Sequence, residues 1–221
     1  MKKSRAKKDP VKKAGASPRS TKRPSRAAPN PDNTVAFQGL PGAYSDLACR
    51  EVFPKMATLP TDTFVETYAA VEEGRARLAM IPIENSVAGR VADIHHLIPR
   101  QKLHIIGEHF QRVEHHLLAV PGAKLSDLKI VRSHVHALSQ CRNAIRKLKL
   151  TPIVHADTAG AAKEVAERGD TSVAAIASEL AASIYGLKSL KANIEDAAHN
   201  TTRFVILARE AVDPGVDAGP L

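Results

Sequence analysis

The fold is decided by the stretch Asn200-Thr201-Thr202-Arg203-Phe204-Val205-Ile206-Leu207, in which a polar cluster leads directly into an apolar run. An apolar run of this length, rich in β-branched residues, is typical of a buried strand. The four polar residues bring more hydrogen-bonding groups than the start of a strand requires. For this stretch taken alone, an ordinary strand start with an exposed arginine explains the pattern equally well.

A second stretch, Ile81-Pro82-Ile83-Glu84-Asn85-Ser86, has an apolar run that ends in a polar cluster. A carboxylate such as that of Glu84 costs free energy at the end of an apolar strand unless it is paired or lies in a cleft. The side chain of Asn85 can donate and accept hydrogen bonds at once. The two stretches together indicate a polar site at the ends of buried strands.

Together with Ser133-His134 and Gln140-Cys141, these motifs resemble the prephenate dehydratase family, and they occur in the family's order from about Val35 to Arg209. The resemblance implies that the chain converts prephenate to phenylpyruvate, with loss of water and carbon dioxide, in L-phenylalanine biosynthesis. It also implies a two-lobed α/β fold similar to the type II periplasmic binding proteins, with the active site in the cleft between the lobes. Relatives usually continue into an ACT domain that binds phenylalanine. Because twelve residues follow Arg209, we expect no such domain within this chain.

Strand-like and helix-like segments alternate after residue 33, which predicts an α/β fold with mostly parallel sheets. Lobe one is expected to comprise about 34–112 and 194–209, and lobe two about 113–193, within a catalytic domain of 34–209. The predicted strands are 34–38, 57–60, 78–83, 103–110, 116–120, 129–132, 153–156, 172–176 and 202–207, and the predicted helices are 43–52, 63–73, 87–98, 134–148, 158–168 and 179–185.

The basic character of the chain comes from its first 33 residues. They hold 11 Lys and Arg against two acidic residues, whereas the remaining chain has 21 basic and 21 acidic residues. A segment with so few large apolar side chains cannot offset the entropy of ordering, so we expect 1–33 to be a disordered basic tail and 210–221 a short flexible one. A solvated extension, an organelle transit peptide and non-specific contact with nucleic acid phosphates are the alternatives for the basic tail.

The resemblance assigns catalysis to Thr202, Glu84 and Asn85. A threonine hydroxyl is a poor proton reservoir, so we expect Thr202 to donate a hydrogen bond to the departing hydroxyl. Glu84 is the candidate proton source, provided that burial raises its pKa. The resemblance further assigns substrate binding to Ser86, Ser133, His136, Gln140, Asp157, Tyr44 and Arg203.

Several of these substrate-binding assignments have an alternative. Ser86 and Ser133 follow predicted strands, where helix N-termini favour the carboxylates of prephenate, but residues of this type also serve as simple N-caps. Arg203 faces away from Thr202 in a regular strand and can pair within its own lobe. The family commonly has Ser-His-Pro-Gln where this chain has Ser133-His134-Val135-His136, so His136 replaces an amide.

The sequence indicates neither a metal site nor a cofactor. It contains no metal-binding His or Cys spacing and no glycine-rich cofactor fingerprint, and aromatisation of the ring supplies the driving force for the proposed reaction. No run of about 18 apolar residues predicts a membrane span. We expect the two cysteines, Cys49 and Cys141, to be buried free thiols in a reducing, cytoplasmic compartment. The expected partner is a small-molecule substrate, with no specific nucleic acid, and a homodimer remains open.

Three other functions compete with this prediction. The first is an arogenate dehydratase, or a dual-specificity cyclohexadienyl dehydratase, which the sequence does not distinguish from a prephenate dehydratase. The second is a non-catalytic small-molecule binding protein, which the two-lobed fold allows. The third is a nucleic-acid-binding protein that uses the basic tail, which the electrically neutral remainder of the chain disfavours.

Overall fold

A computed structural model describes residues 30–98 and 102–212 of the chain. Its first sheet has the strand order β2-β1-β3-β11-β5, with the short strand β4 paired to β3. The strands of this sheet are β1 (Thr34–Gln38), β2 (Ala57–Thr61), β3 (Leu78–Asn85), β4 (Gly89–Arg90), β5 (His104–Arg112) and β11 (Thr201–Ala208).

The second sheet has the order β10-β6-β9-β7-β8. The chain enters it after β5 and returns to the first sheet only with β11, so the final strand joins the first half of the chain. Its strands are β6 (His116–Ala119), β7 (Ile130–Ser133), β8 (Thr151–Val154), β9 (Val173–Ala177) and β10 (Lys188–Lys191).

Seven α-helices of the described residues pack on these sheets, and several begin at a side-chain cap. The Thr63 hydroxyl accepts from Glu66 N–H, and the Asp157 carboxylate accepts from Gly160 N–H, as expected of N-cap residues. The helices are α1 (Tyr44–Val52), α2 (Phe64–Glu72), α3 (Ala92–Leu97), α4 (Val135–Gln140), α5 (Arg142–Lys147), α6 (Thr158–Arg168) and α7 (Glu179–Tyr185).

The two-sheet α/β architecture is confirmed, but the sheets are mixed rather than mostly parallel. Of the nine strand pairings among the described residues, four are parallel and five antiparallel. Strand β11 causes much of this difference, because it runs antiparallel to both β3 and β5 in the middle of the first sheet.

Three local predictions were wrong. The helix expected over 87–98 starts only at Ala92, because β3 turns back into β4. The helix expected over 134–148 is interrupted at Cys141, which separates α4 from α5. Residues 30–33, assigned to the basic tail, include a 3-10 turn at Pro31–Asn33 that is capped by the Asn30 side chain. Residues 1–29 and 213–221 lie outside the described residues.

Strand β11 separates two apolar layers of the first sheet. Phe204 and Ile206 pack with residues of β1 and α1 on one face, and Val205 and Leu207 pack with residues of α2 and α3 on the other. A strand that is buried on both faces needs a continuous apolar run, which 204–208 supplies. This packing holds the start of β11, with Thr201 and Thr202, at the end of the sheet.

The loop before α1 forms a close contact between the two sheets. The backbone carbonyl of Gly42 accepts a hydrogen bond of 2.6 Å from the Ser178 hydroxyl, and the carbonyl of Pro41 accepts one of 2.8 Å from the Tyr185 hydroxyl. A Cβ atom added to Gly42 would lie 2.8 Å from Cα of Ala181. Glycine is therefore required here for the close approach of α7, the helix that carries Ala181 and Tyr185.

Candidate active site

A β-bulge between β3 and β11 determines which side chain faces Thr202. From Phe204 onward the pairing is regular, with Phe204 opposite Pro82, but Arg203 lies opposite Glu84 and Thr202 opposite Asn85. One extra residue, Ile83, is therefore accommodated on β3. If Ile83 were instead paired with Arg203, the regular pairing would place Glu84 opposite Thr202, because a register shift of one residue exchanges the side chains on the two faces.

Asn85 is held in one orientation by the turn that follows it. Its Oδ1 accepts from the backbone N–H groups of Val87, at 3.0 Å, and of Ala88, at 2.8 Å. Its Nδ2 must then point the other way, where it donates to Thr202 Oγ1 at 2.9 Å and to Asn200 Oδ1 at 2.8 Å. Thr202 Oγ1 is thus an acceptor for Asn85, and its own hydrogen remains free to be donated elsewhere.

The network continues from Asn200 into the second sheet. Asn200 Nδ2 donates to Gln140 Oε1 at 3.0 Å, and Gln140 Nε2 lies 3.4 Å from Asn85 Oδ1. Gln140 Oε1 is also 2.8 Å from His115 Nε2, and His115 Nδ1 is 2.8 Å from the Tyr44 hydroxyl. The network thus links Thr202 and Asn85 of the first sheet to Gln140 at the end of α4, which packs on the second sheet.

Burial controls the protonation of the two aromatic members. His115 is 2% exposed, and its pKa is lowered chiefly because burial disfavours the charged ring, against the hydrogen bond to Gln140 and the Glu195 carboxylate, which favour it. The pKa of Tyr44 is raised well above its ordinary value by burial, with smaller contributions from Cys141 and Glu195. Both side chains are therefore neutral near pH 7.

The structure does not supply the environment on which the proton-relay role predicted for Glu84 depends. Glu84 is exposed and lies opposite Arg203, on the other side of the sheet from the Thr202 and Asn85 side chains. The burial on which that role depended is therefore absent. Arg203 lies on the same face of the sheet as Glu84 and already has partners there. It forms an ion pair with Glu108 at 2.6 Å and lies over the Phe110 ring. The alternative of an arginine that pairs within its own lobe is the one observed.

The two predicted serines serve the backbone. Ser86 Oγ donates to the carbonyl of His199 at 2.9 Å and accepts from Thr201 N–H at 3.0 Å, which fixes the strand start beside Thr202. The fully buried Ser133 hydroxyl donates to the carbonyl of Ile176 at 2.6 Å within the second sheet. Neither hydroxyl is free for a substrate in this conformation.

Of the remaining predicted residues, two lie outside the network and one, Tyr44, is a member of it. Asp157 is the N-cap of α6, and its carboxylate is occupied by Gly160 N–H. His136 is exposed in the first turn of α4, with its ring 5.0 Å from that of His134. Tyr44 belongs to the network, but its hydroxyl is used for contacts to His115 and to the carbonyl of Glu114.

A cavity of about 570 Å³ between α1 and α7 is lined by residues that include Leu47, Phe110 and Leu180, but by none of the three site residues Asn85, Gln140 and Thr202. No group of three or more His, Cys, Asp or Glu side chains within 30–98 and 102–212 is arranged to hold a metal ion.

Comparison with known proteins decides the family. The family model described as prephenate dehydratase matches residues 35–212, which includes every member of the hydrogen-bond network. The chain belongs to the prephenate dehydratase family. The same range contains the bulge at Ile83, so the whole arrangement around Thr202 lies within the family domain.

Individual relatives differ in what their names state. The chain is 55% identical over 180 residues to a bifunctional N-acyl-homoserine lactone acylase/prephenate dehydratase of Komagataeibacter europaeus, covering 81% of this chain and 64% of that protein. It is 46% identical over 183 residues to arogenate dehydratase/prephenate dehydratase 1 of Arabidopsis thaliana, a chloroplastic protein, covering 83% of this chain and 47% of the relative. The chain thus spans between about half and two thirds of the length of these relatives.

A solved member of the family has the same fold. The structure of prephenate dehydratase from Arthrobacter aurescens in complex with L-Phe superposes with a TM-score of 0.75 at 31% sequence identity, covering 81% of this chain and 61% of that one. No helix among the described residues of this family member is both long and apolar enough to cross a membrane.

Sequence reasoning missed two members of the network. Asn200 was treated as part of a polar strand start, but it is 1% exposed and bridges Asn85 to Gln140. His115 forms an adjacent pair with His116, a pattern that matches no metal-binding or catalytic spacing and therefore does not identify it as a site residue. The sequence did contain one signal for His115, which is its position between two predicted strands. Because neighbouring residues in extended chain point to opposite sides, only one of His115 and His116 can face the first sheet.

Proposed function

We propose that this chain is a prephenate dehydratase, which converts prephenate to phenylpyruvate, water and carbon dioxide. The observation that carries the proposal is the orientation of Thr202, whose Oγ1 accepts from Asn85 and whose own hydrogen has no acceptor among the described residues. A hydroxyl held in this way can donate to a leaving group without first breaking a hydrogen bond of its own.

The reaction breaks two bonds and consumes one proton. The bond between the ring carbon and the hydroxyl oxygen breaks with its electron pair on oxygen, which leaves as water after gaining a proton. The bond to the ring carboxylate breaks with its electron pair entering the ring, which becomes aromatic, and carbon dioxide departs. A hydrogen bond from Thr202 stabilises the charge that develops on the leaving oxygen in the transition state.

Gln140 supplies a second donor. Its Oε1 accepts from Asn200 and is paired with His115, and one Nε2 hydrogen faces Asn85. The second Nε2 hydrogen has no acceptor among the described residues, so it is available to a carboxylate. A site that presents a hydroxyl and an amide hydrogen suits a substrate that brings a hydroxyl and two carboxylates. We accordingly propose Thr202 and Asn85 as catalytic residues and Gln140 as a substrate-binding residue.

The test is direct. Purified chain is incubated with prephenate, and phenylpyruvate is followed in time, with arogenate and its product phenylalanine assayed in parallel. We expect phenylpyruvate to form, with prephenate the better substrate by kcat/KM. Preference for arogenate would establish the alternative within the same chemistry, and no product from either substrate would contradict dehydratase activity altogether.

A second candidate activity is the hydrolysis of N-acyl-homoserine lactones. It is favoured by the 55% identity to a relative that carries both activities in its name. The same purified chain is offered an acyl-homoserine lactone, and free fatty acid and homoserine lactone are measured. Release of fatty acid would establish this second activity, while its absence alongside phenylpyruvate formation would leave the dehydratase as the only one of the two.

We further propose that 34–209 is the catalytic domain, with one lobe around each sheet, and that the chain works in a reducing compartment such as the cytoplasm. The cysteines support this location, because Cys49 and Cys141 are both buried and free, and burial raises the pKa of each thiol. Cell fractionation that finds the mature chain in an oxidising compartment would contradict the location.

A further inference from the structure

His115 lies at the junction of the two sheets, immediately before β6. Its backbone N–H donates to Glu195 Oε2 at 2.9 Å, and its ring stands edge-on to that of Tyr44. Both ring nitrogens are engaged, Nε2 with Gln140 Oε1 and Nδ1 with the Tyr44 hydroxyl, each at 2.8 Å. Because the imidazole is buried and both nitrogens are engaged, its hydrogen-bond partners determine which nitrogen carries the proton.

The direction of each hydrogen bond follows from the backbone. Because Val87 and Ala88 N–H can only donate, Asn85 Oδ1 must be their acceptor, and Asn85 Nδ2 must face Asn200 Oδ1. Asn200 then presents its Nδ2 to Gln140 Oε1. No member of this series can be rotated by 180° without bringing two acceptors or two donors together.

The series ends at His115. Gln140 Oε1 is an acceptor only, so His115 Nε2 must carry a hydrogen. Burial lowers the pKa of the ring and so favours the neutral form. The neutral ring has one hydrogen, and Nδ1 is therefore bare; it lies 2.8 Å from the Tyr44 hydroxyl, whose single hydrogen also faces the Glu114 carbonyl at 2.8 Å.

We propose that His115 is a positioning residue, whose Nε2–H, donated to Gln140 Oε1, holds the Gln140 amide with its N–H groups directed to Asn85 and the substrate. This inference rests on the proposed function of Gln140. With the hydrogen on Nδ1 instead, the bare Nε2 would attract the Gln140 amide nitrogen. Gln140 would then turn its oxygen toward Asn85 Oδ1 and toward the carboxylates of the substrate.

The first experiment reads the tautomer directly. In ¹⁵N-histidine-labelled protein, the two ring nitrogens of His115 are observed through their long-range couplings to the ring protons, and assigned by their loss in His115→Gln. We expect the shift of a protonated nitrogen at Nε2 and of a bare nitrogen at Nδ1. A proton on Nδ1 alone would overturn the inference whether or not the chain turns over prephenate.

The second experiment compares two side chains of similar shape. Glutamine in place of His115 can still donate to Gln140, whereas methionine cannot. We expect His115→Gln to stay within about threefold of the native kcat/KM, and His115→Met to lose roughly 10- to 100-fold, mainly as a rise in KM. KM is the parameter affected because the Gln140 amide binds a carboxylate that is present in substrate and transition state alike.

The neighbouring histidine provides the matched control. His116 is also buried, but its Nδ1 contacts the Ser189 hydroxyl at 3.0 Å, away from Gln140. His116→Met should leave KM near its native value. Equal losses in His115→Gln and His115→Met, or the same rise in KM from His116→Met, would reduce His115 to a packing residue. Absence of turnover in the native chain would instead contradict the proposed function, and the tautomer would still decide the inference about His115.

Discussion

At the scale of single residues, the side chain of Asn85 controls the hydroxyl that we propose to act in catalysis. Asn85→Asp keeps the size of the side chain and its contacts to the Val87 and Ala88 N–H groups. It removes the donor to Thr202, and the new carboxylate accepts the hydrogen that Thr202 would give to the substrate. We expect kcat to fall roughly 10²-fold, with a smaller change in KM.

The control for this substitution is Glu84→Gln on the preceding residue. Glu84 is exposed and on the other face of the sheet, so its neutral analogue should retain most of the native kcat. If steady-state rates show that Glu84→Gln is the more damaging change, then Glu84 takes part in proton transfer and the placement of the site on the Asn85 face is wrong.

His115 should also affect the pH dependence of stability. Because its pKa is lowered in the folded chain, the unfolded chain binds more protons as pH falls through the ordinary histidine value near 6.5. Stability is therefore lost as pH drops below about 6.5, and the loss stops below the pKa of the folded chain. The Glu195 carboxylate reduces this effect, and His116 and burial increase it.

His115→Gln removes this contribution. Between about pH 7.5 and pH 5.5 the melting temperature of the variant should fall less than that of the native chain. Calorimetry at the two pH values measures the difference. His134, whose pKa is also lowered by burial and by His136, remains in both proteins, so parallel pH slopes would mean that His115 is already charged in the folded state.

At the scale of elements, the bulge in β3 is the feature that assembles the site. Insertion of one alanine between Ile83 and Glu84 should keep the bulge, shift the register beyond it by one residue and bring Glu84 opposite Thr202. We expect the loss of at least roughly 10²-fold in kcat, because Asn85 can no longer reach the Thr202 hydroxyl. Ile83→Ala is the control, since it removes apolar contacts but keeps the residue count of the strand. Similar rates in the two variants would show that the register is not what matters.

The bulge also explains where sequence reasoning failed. The pattern of Ile81-Pro82-Ile83 identified a buried strand, and its polar end, which the sequence predicts to carry function, joins the hydrogen-bond network. Periodicity could not reveal one extra residue on β3, because a bulge depends on the pairing with β11, which lies over a hundred residues away in the chain. The choice between Glu84 and Asn85 as the partner of Thr202 was therefore open until the pairing was known.

Other elements were predictable because their signals are local. The helices α2, α6 and α7 begin within one residue of the predicted starts at 63, 158 and 179, after the side-chain caps Thr63, Asp157 and Ser178. Strand β10 was missed because its sequence, Lys188–Lys191, is polar and mostly exposed at the edge of the second sheet. The network of Asn200, Gln140 and His115 was not predictable as a unit, since its members come from three separate segments that meet only in the folded chain.

At the scale of the whole molecule, Gly42 sets how closely the two sheets approach. Gly42→Ala would place a Cβ 2.8 Å from Cα of Ala181, at a residue with φ of +90°. Gly122 has a similar φ of +93° but nothing within 4 Å of its added Cβ. Gly42→Ala should therefore lower the free energy of unfolding by about 2 kcal/mol more than Gly122→Ala. Chemical denaturation measures both, and equal effects would show that only backbone strain is involved.

The same contact links stability to activity. The methyl group of an alanine at residue 42 would move α7 and the second sheet away from the first sheet. This movement would separate His115 and Gln140, which lie on the side of the second sheet, from Thr202 and Asn85 of the first. We expect Gly42→Ala to raise KM while Gly122→Ala leaves it near the native value. An unchanged KM in Gly42→Ala would mean that the network tolerates a change in the spacing of the two sheets.

The central claim is that the Thr202 hydroxyl, oriented by Asn85 at the junction of the two sheets, acts on prephenate. The most direct test is phenylpyruvate formation by Thr202→Ala and Thr201→Ala, two neighbours whose side chains face opposite sides of β11. Thr202→Ala should lose roughly 10²- to 10⁴-fold in kcat, with Thr202→Ser retaining much of the rate and Thr201→Ala close to native. An active Thr202→Ala enzyme, or equal losses from the two alanine variants, would contradict the account.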